Sequence, residues 1–322
     1  MTDTRWMGAA VALGERGRGR TAPNPNVGCI IVKAGRVVGR GWTQPGGRPH
    51  AEAMALAEAG DDARGATAFV TLEPCAHASG RGPACADLLA AAGVARVVAA
   101  IADPDSRSNG KGLERLATAG VEVVTGVGAE AVARSLAGFL ARQWLGRPYV
   151  TLKLAMSLDG KIALPSGDSR WITGEDARAH GHLERVRADM ILVGRGTHDA
   201  DAPKLDVRLP GLEGRSPRRA LLTRGEGIEG WARLGAPEEI SSLDGVNDLL
   251  VEGGAGAASA FLAADLVDRL LIYRAPILIG AGKPALGDIG LTALADAHGR
   301  WAMHDTRMLG SDRLEVYERV RA

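Results

Sequence analysis

Three residues far apart in the chain, His50, Cys75 and Cys85, dictate more about its folding than any other feature. They stand in the pattern H-A-E at His50 to Glu52, then P-C at Pro74 and Cys75, with nine residues between that thiol and the next. Two thiolates and an imidazole give a zinc ion three protein ligands and leave the fourth tetrahedral position for a water whose pKa the metal lowers toward ~7. Glu52 is close to the metal without being a ligand, so it can take the proton from that water and pass it to a leaving group. A free cysteine is more often a small buried hydrophobe than a ligand, and Cys29, inside VGCIIV, is read as core on that ground. For Cys75 and Cys85 the joint pattern decides for metal, one zinc per chain.

Around this triplet the hydrophobic pattern alternates between strands and helices. VGCIIV and VVGRGW flank a short turn and read as a hairpin. PHAEAMALAEAG reads as a helix, entered after Pro49 and stopped by Gly60. Strands at ATAFVTLEP, ARVVAAIAD and VEVVTG then alternate with helices at CADLLAAAG and GLERLATAG. This predicts an α/β domain over residues 1–146, closed by one helical stretch over 129–146. The pattern resumes at YVTLKLAM and continues to a last strand, DRLEVYERV, predicting a second α/β domain over 147–322; one strand is expected across DRLLIYRAPILIG, and the Gly- and Pro-rich stretch 208–247 is read mostly as loop. A length of 322 residues agrees with two domains. The formal charge of +1 and the 4% aromatic content argue against a nucleic-acid binder. Three cysteines cannot build a disulfide framework, which suits a reducing compartment and a cytoplasmic protein. No apolar run approaches the ~18 residues of a membrane span, and the N-terminus reads as a first helix with Met7, Ala10, Val11 and Leu13 on one stripe.

H-x-E followed by P-C and a further cysteine is the arrangement of zinc nucleobase deaminases, in which water attacks an amidine carbon and ammonia leaves. With TAPNPNVGCIIVKAGRVVGRG, PHAEAMAL and GATAFVTLEPCAHASGRGPACADLL, the first half resembles the bifunctional riboflavin-biosynthesis deaminase/reductase family. That family carries H-x-G-R-x-P-x-C between its thiols. HASGRGPAC is one residue longer, and the resemblance puts Cys85 in the third ligand position. The resemblance implies a cytidine-deaminase-like three-layer domain with Glu52 as catalytic residue. Asn24 matches a pyrimidine-binding position and is an equally good turn residue. DPDSRSNGKG, Asp103 to Gly112, stands where the family has a substrate loop, with departures at Ser106, Ser108 and Asn109; Thr43 replaces a usual His.

The second half resembles the family's reductase, a dihydrofolate-reductase-like α/β domain, through LKLAMSLDGKIA, SRWITG, VGRGTHDADAPKLDVR and VEGGAGAASAFL. In the last segment a strand ends at Glu252, two glycines let the backbone approach a ligand, and a helix begins with free N–H groups suited to a pyrophosphate. The resemblance implies an NADPH site lined by Ala155, Trp171, Thr197, Asp201 and the run Gly254, Ala255, Gly256, Ala257, Ala258, Ser259 and Ala260. It implies that Ser169, Arg185, Leu205, Arg208 and Glu252 hold the phosphoribosyl substrate. Guanidinium groups suit phosphate because they bind it bidentately. Lys153 is expected to face the substrate, and Asp201 is the candidate proton donor. The segment 209–247 is shorter than the family's, and Thr223 and Arg224 replace a usual Asp-Ser, which makes Arg224 a candidate partner for a cofactor phosphate.

The implied function is hydrolytic deamination of a diaminopyrimidinone ribosylamino phosphate followed by NADPH-dependent reduction of its ribose to ribityl. The partners are then a small phosphoribosylaminopyrimidine, no nucleic acid and no membrane, with a homo-oligomer expected. The alternative is a zinc deaminase of another nucleobase or of nucleic acid with a non-catalytic C-terminal domain.

Overall fold

The computed structural model describes residues 2–77 and 82–321. The chain divides into two compact units, Met1–Gly146 and Arg147–Ala322. The first contains α1 (Asp3–Gly14), β1 (Gly28–Lys33), β2 (Arg36–Trp42), α2 (Ala51–Ala59), β3 (Thr67–Leu72), α3 (Cys85–Ala91), β4 (Arg96–Ile101), α4 (Lys111–Thr118), β5 (Glu122–Thr125), α5 (Ala129–Ser135) and α6 (Ala137–Leu145). Its sheet has the order β2-β1-β3-β4-β5. The hairpin and β3 pair antiparallel, whereas β3, β4 and β5 run parallel.

Glycines decide how closely the helices approach this sheet. A Cβ on Gly28 would sit 1.9 Å from the Ala10 carbonyl oxygen of α1, and one on Gly41 would sit 2.0 Å from the Ala51 carbonyl oxygen of α2. Gly41 pairs with Cys29, the neighbour of Gly28. Successive strand residues face opposite sides, so α1 and α2 cover opposite faces and the unit has three layers. Cys29, Ile31, Val70, Val97 and Val98 fill the interior, and Cys29 is core as expected. The predicted helix over 129–146 is two: Leu136 leaves helical geometry, and the Ser135 carbonyl accepts from the Asn26 side chain.

The second unit contains β6 (Tyr149–Met156), β7 (Lys161–Ala163), α7 (Glu175–Arg187), β8 (Met190–Gly194), α8 (Arg195–Asp201), β9 (Arg218–Leu222), β10 (Ala232–Leu234), β11 (Asp248–Glu252), α9 (Ala255–Ala263), β12 (Arg269–Arg274), β13 (Lys283–Pro284), β14 (Trp301–Leu309) and β15 (Asp312–Arg319). Its main sheet has the order β10-β9-β8-β11-β6-β12-β15-β14. The first six of these strands are parallel, and β15 and β14 add an antiparallel edge. Val150, Leu152, Leu192 and Val251 pack with Ala258 and Phe261 of α9, while Leu271 and Tyr273 pack with Ala177 of α7.

Several expectations change here. The strand read across DRLLIYRAPILIG ends at Arg274, before Pro276, which has no N–H for a ladder. Beyond it, the N–H groups of Ile279 and Gly280 donate to the Asp159 carboxylate instead. The edge strand β14 and the short helix α8 had not been expected. Among the described residues no helix is long and apolar enough to cross a membrane.

Candidate active site

The first unit brings the three expected ligands together. His50 occupies the position before α2, where the chain is still extended, and Glu52 lies in that helix's first turn. Cys75 follows the end of β3, and Cys85 opens α3. The His50 Nδ1 lies 3.3 Å from the Cys85 Sγ and 3.6 Å from the Cys75 Sγ, and all three donor atoms fall within 4.8 Å of one another. Zinc bonds of ~2.3 Å to sulfur and ~2.0 Å to nitrogen in tetrahedral geometry imply N···S separations of about 3.5 Å, so the donor set fits the ion. The described residues offer no other such group of metal-binding side chains.

Electrostatics suit the same chemistry. A hydrogen bond from Cys85, opposed by burial and helped by His50, brings the Cys75 thiol down to about 4. The shared proton and burial push the Cys85 thiol up. Glu52 is only 3% exposed, and burial raises its carboxyl to about 7, against the pull of His50. A carboxyl poised near neutrality can both accept and donate a proton. His50 and Cys85 line a cavity of about 420 Å³, together with Arg48, Ala53, Gly82 and Leu88.

The surroundings were less readable from sequence. The Asn24 amide lies against Gly47, where an added Cβ would be 1.8 Å from its Nδ2, so this side chain packs on the segment leading to His50. The Thr43 hydroxyl accepts from the Val27 N–H and is a structural group. Glu73 was not anticipated. Its buried carboxylate accepts from the N–H groups of Asp103, Gly110 and Gly112 at 3.1, 2.9 and 2.9 Å, gathering both ends of the 103–112 loop beside Cys75. Of the HASGRGPAC insertion, residues 78–81 lie outside the described residues.

In the second unit, Lys153, Arg185 and Glu252 meet at the carboxyl end of β6 and β11, the end of a parallel sheet where ligands bind. The Arg185 Nε and Nη2 donate to the two Glu252 oxygens at 2.8 and 2.9 Å, and Lys153 lies 3.6 Å from the same carboxylate. Burial alone would raise Glu252, yet the two cations hold it at about 2. Arg185 Nη1 also donates to the Asp206 carbonyl. Three of its five N–H groups are therefore engaged within the protein, while one carboxylate is shared by two cations, so the cluster keeps a net positive charge. Arg208 is exposed and reaches Asp206 at 3.1 Å, while its N–H donates to the His182 Nδ1. Leu205 is buried with φ +54, and Ser169 is half-buried. Ala155 shares the α7 face with Lys153, by strand alternation.

The expected cofactor residues form a second group. Gly253 has φ +146, and the Gly254 N–H donates to the Thr197 Oγ1 at 2.8 Å. No side chain caps α9, so the N–H groups of Ala255, Gly256 and Ala257 lack acceptors within the helix. A Cβ on Gly256 would meet nothing within 4 Å. Ala258 is buried in the core and Ser259 donates no such face, its Oγ accepting from the Gly287 N–H, with Ala260 next to it half-buried. The open start of α9 thus suits a pyrophosphate. Trp171 is 64% exposed, with the Arg178 guanidinium 4.8 Å from its ring centre. Asp201 is exposed and accepts from Arg170 through its carbonyl. Arg224 is exposed, without an ion-pair partner among the described residues.

Two family models match the chain: "Cytidine and deoxycytidylate deaminase zinc-binding region" over residues 1–101 and "RibD C-terminal domain" over residues 148–312. The riboflavin biosynthesis protein RibD of Escherichia coli is 40% identical over an alignment 361 positions long, covering 97% of this chain and 98% of that protein. The RibD of Mycobacterium tuberculosis H37Rv is 40% identical over 324, covering 96% and 95%. Among solved structures, Acinetobacter baumannii RibD aligns with TM-score 0.89 and 36% identity over 99% of both chains. A Thermotoga maritima protein described as a diaminohydroxyphosphoribosylaminopyrimidine deaminase/5-amino-6-(5-phosphoribosylamino)uracil reductase aligns with TM-score 0.89 and 31% identity, again over 99% of both. The two units thus carry the cytidine-deaminase-like and dihydrofolate-reductase-like α/β folds expected from the sequence. With both domain models in this order and relatives matched over nearly their full length, the chain belongs to the RibD family of bifunctional riboflavin-biosynthesis enzymes.

Proposed function

We propose that residues 1–146 deaminate 2,5-diamino-6-(5-phosphoribosylamino)pyrimidin-4-one by hydrolysis at its 2-amino group, and that residues 147–322 reduce the ribosyl group of the product to ribityl with NADPH. The observation that carries this reading is the convergence of His50, Cys75 and Cys85 beside the buried Glu52, with His50 and Cys85 lining a cavity. His50, Cys75 and Cys85 would hold zinc, which supplies Lewis acidity and lowers the pKa of a bound water. Glu52 takes a proton from the attacking water and returns it to the departing amino nitrogen, so water and the amidine give a carbonyl and ammonia. Asn24 and the 103–112 loop border the pyrimidine.

In the second half, the start of α9 and Thr197 would hold the pyrophosphate of NADPH, with Ala155, Trp171 and Asp201 along the same cofactor. NADPH supplies the hydride that reduces ribose C1 in its ring-opened imine form. Lys153, Arg208, Ser169 and Leu205 border the substrate. Arg185 acts through Glu252, whose carboxylate it orients, and Asp201 is the proton donor. The reading places the protein in the cytoplasm as a homo-oligomer that takes no nucleic acid; its charge of +1 and its three free cysteines support the compartment and the last point, and sedimentation tests the assembly.

Purified zinc-loaded protein, given the diaminopyrimidine and NADPH, should release ammonia and then oxidise NADPH. Ammonia release without NADPH oxidation overturns the reductase half. Glu52→Gln should keep zinc and lose deamination; loss of zinc in that variant would make Glu52 structural.

A further inference from the structure

Arg48 is half-buried and lines the same cavity as His50 and Cys85. Among the described residues it is the one side chain of that lining with a permanent charge. Many arginines of the first unit are matched by acids: Arg40 with Glu58, Arg96 with Asp3, Arg115 with Asp87. Arg48 has no ion pair or hydrogen bond among the described residues. A half-buried guanidinium without a counter-charge keeps its five N–H donors available to an anionic ligand. The structure also leaves room for the guanidinium. Gly82 has φ +142, and a Cβ there would come within 3.1 Å of the Arg48 Nη1. Glycine tolerates that backbone, and its missing side chain keeps the guanidinium's edge open.

The position relative to the chemistry is equally specific. The backbone at Arg48 is extended, with φ −152 and ψ 150, two residues before His50. Two extended residues cover about 6–7 Å, which separates the Arg48 backbone from that of His50 along the wall of the cavity they share. A substrate with its 2-amino carbon at the zinc end carries its phosphate at the far end of the ribosylamino arm. Phosphate matches guanidinium bidentately, in a way a lysine ammonium does not reproduce.

We propose that Arg48 binds the phosphate monoester of the deaminase substrate and so selects phosphorylated over dephosphorylated ribosylaminopyrimidine. This rests on the deaminase reading above. The test is deaminase kinetics without NADPH on the phosphorylated substrate and on its phosphatase-treated counterpart, for wild type, Arg48→Gln and Arg48→Lys, with zinc content measured in each. A charge-assisted hydrogen bond contributes enough for roughly a tenfold or larger effect. Arg48→Gln should raise KM for the phosphorylated substrate at least about tenfold, with kcat, zinc content and the KM of the dephosphorylated substrate near wild type; Arg48→Lys should recover part of the loss. No change in Arg48→Gln, or an equal change for both substrates, overturns the proposal. A wild type that deaminates neither substrate overturns the deaminase reading instead.

Discussion

Gly41→Ala tests whether the zinc site depends on how closely α2 lies against β2. The added Cβ would be 2.0 Å from the Ala51 carbonyl oxygen, 2.7 Å from the Ala55 nitrogen and 2.9 Å from the Met54 Cβ. Ordinary contact begins at 3.4 Å, so the first turn of α2 must retreat by about 1.4 Å from its 2.0 Å approach. Ala51 stands between His50 and Glu52, and both move with it. Metal sites tolerate deviations of only about 0.2 Å in ligand distance, and a misplacement of about 1 Å can cost on the order of 100-fold in rate. Overpacking adds about 1–3 kcal/mol of destabilisation, at roughly 2–4 °C per kcal/mol for a unit of this size. The expected variant unfolds several degrees lower, holds less than one zinc per chain by plasma mass spectrometry and releases ammonia at least about 100-fold more slowly. Gly39→Ala, whose Cβ would meet the Ala55 carbonyl oxygen at 2.2 Å one turn further along, should lose similar stability but less zinc. Gly35→Ala is the control. Its φ is +75 but its Cβ would meet nothing within 4 Å, so it should cost about 1 kcal/mol and leave zinc unchanged. Wild-type zinc and ammonia release in Gly41→Ala would refute the argument, as would equal zinc loss in Gly35→Ala.

Glu252 couples the second unit to pH. Its carboxyl is held at about 2 against an ordinary 4.5, so the folded state favours the ionised form. The stabilisation, about 3 kcal/mol, is full above pH 4.5 and is lost as pH falls toward 2. Hydrogen exchange of the β11 amides reads this locally: Glu252→Gln should flatten the acid dependence, and an unchanged slope would show that other groups set it. Glu252→Ala, which leaves Arg185 and Lys153 without their shared partner, should cost about 3–5 kcal/mol. In the first unit, Glu73→Ala removes the acceptor of four backbone N–H groups, of which those of the buried Asp103 and Gly112 are worth about 1–3 kcal/mol each when left unpaired. Trypsin should then cut after Arg107 or Lys111 at least about tenfold faster; unchanged cleavage would mean that the loop is held by other contacts.

Much of the first unit was legible because its signals are local. Pro49, the Ala, Leu, Met and Glu run, and Gly60 mark α2 within a dozen residues, and H-x-E at its start places one ligand and the proton carrier together. The thiols follow at the ends of a strand and a loop that are equally plain. β14 was missed because Trp301 to Leu309 mixes charged, polar and apolar residues and is mostly exposed. What makes it a strand is its ladder with β15, a contact that residue pattern does not show. The opposite error, extending β12 across ILIG, came from an apolar run whose last two N–H groups donate to Asp159, 120 residues earlier for Ile279.

The same division separates chemistry from recognition within the sites. A zinc ligand can be read from one motif because its donor atom must lie beside a few others of fixed type. A cation that recognises phosphate has no such signature, since its meaning depends on whether an acid lies near it after folding. Arg185 illustrates this: Glu252, 67 residues away, takes two of its donors and is shared with Lys153, an arrangement its sequence position does not announce. Arg48 is the reverse case, an arginine without a distinguishing motif that has no ion pair among the described residues and lines the cavity of His50 and Cys85. Substitutions in the legible motifs should therefore act mainly on kcat, because they touch the reacting atoms. Substitutions at charges whose partners only the fold decides should act mainly on KM, because those groups bind parts of the substrate that do not react.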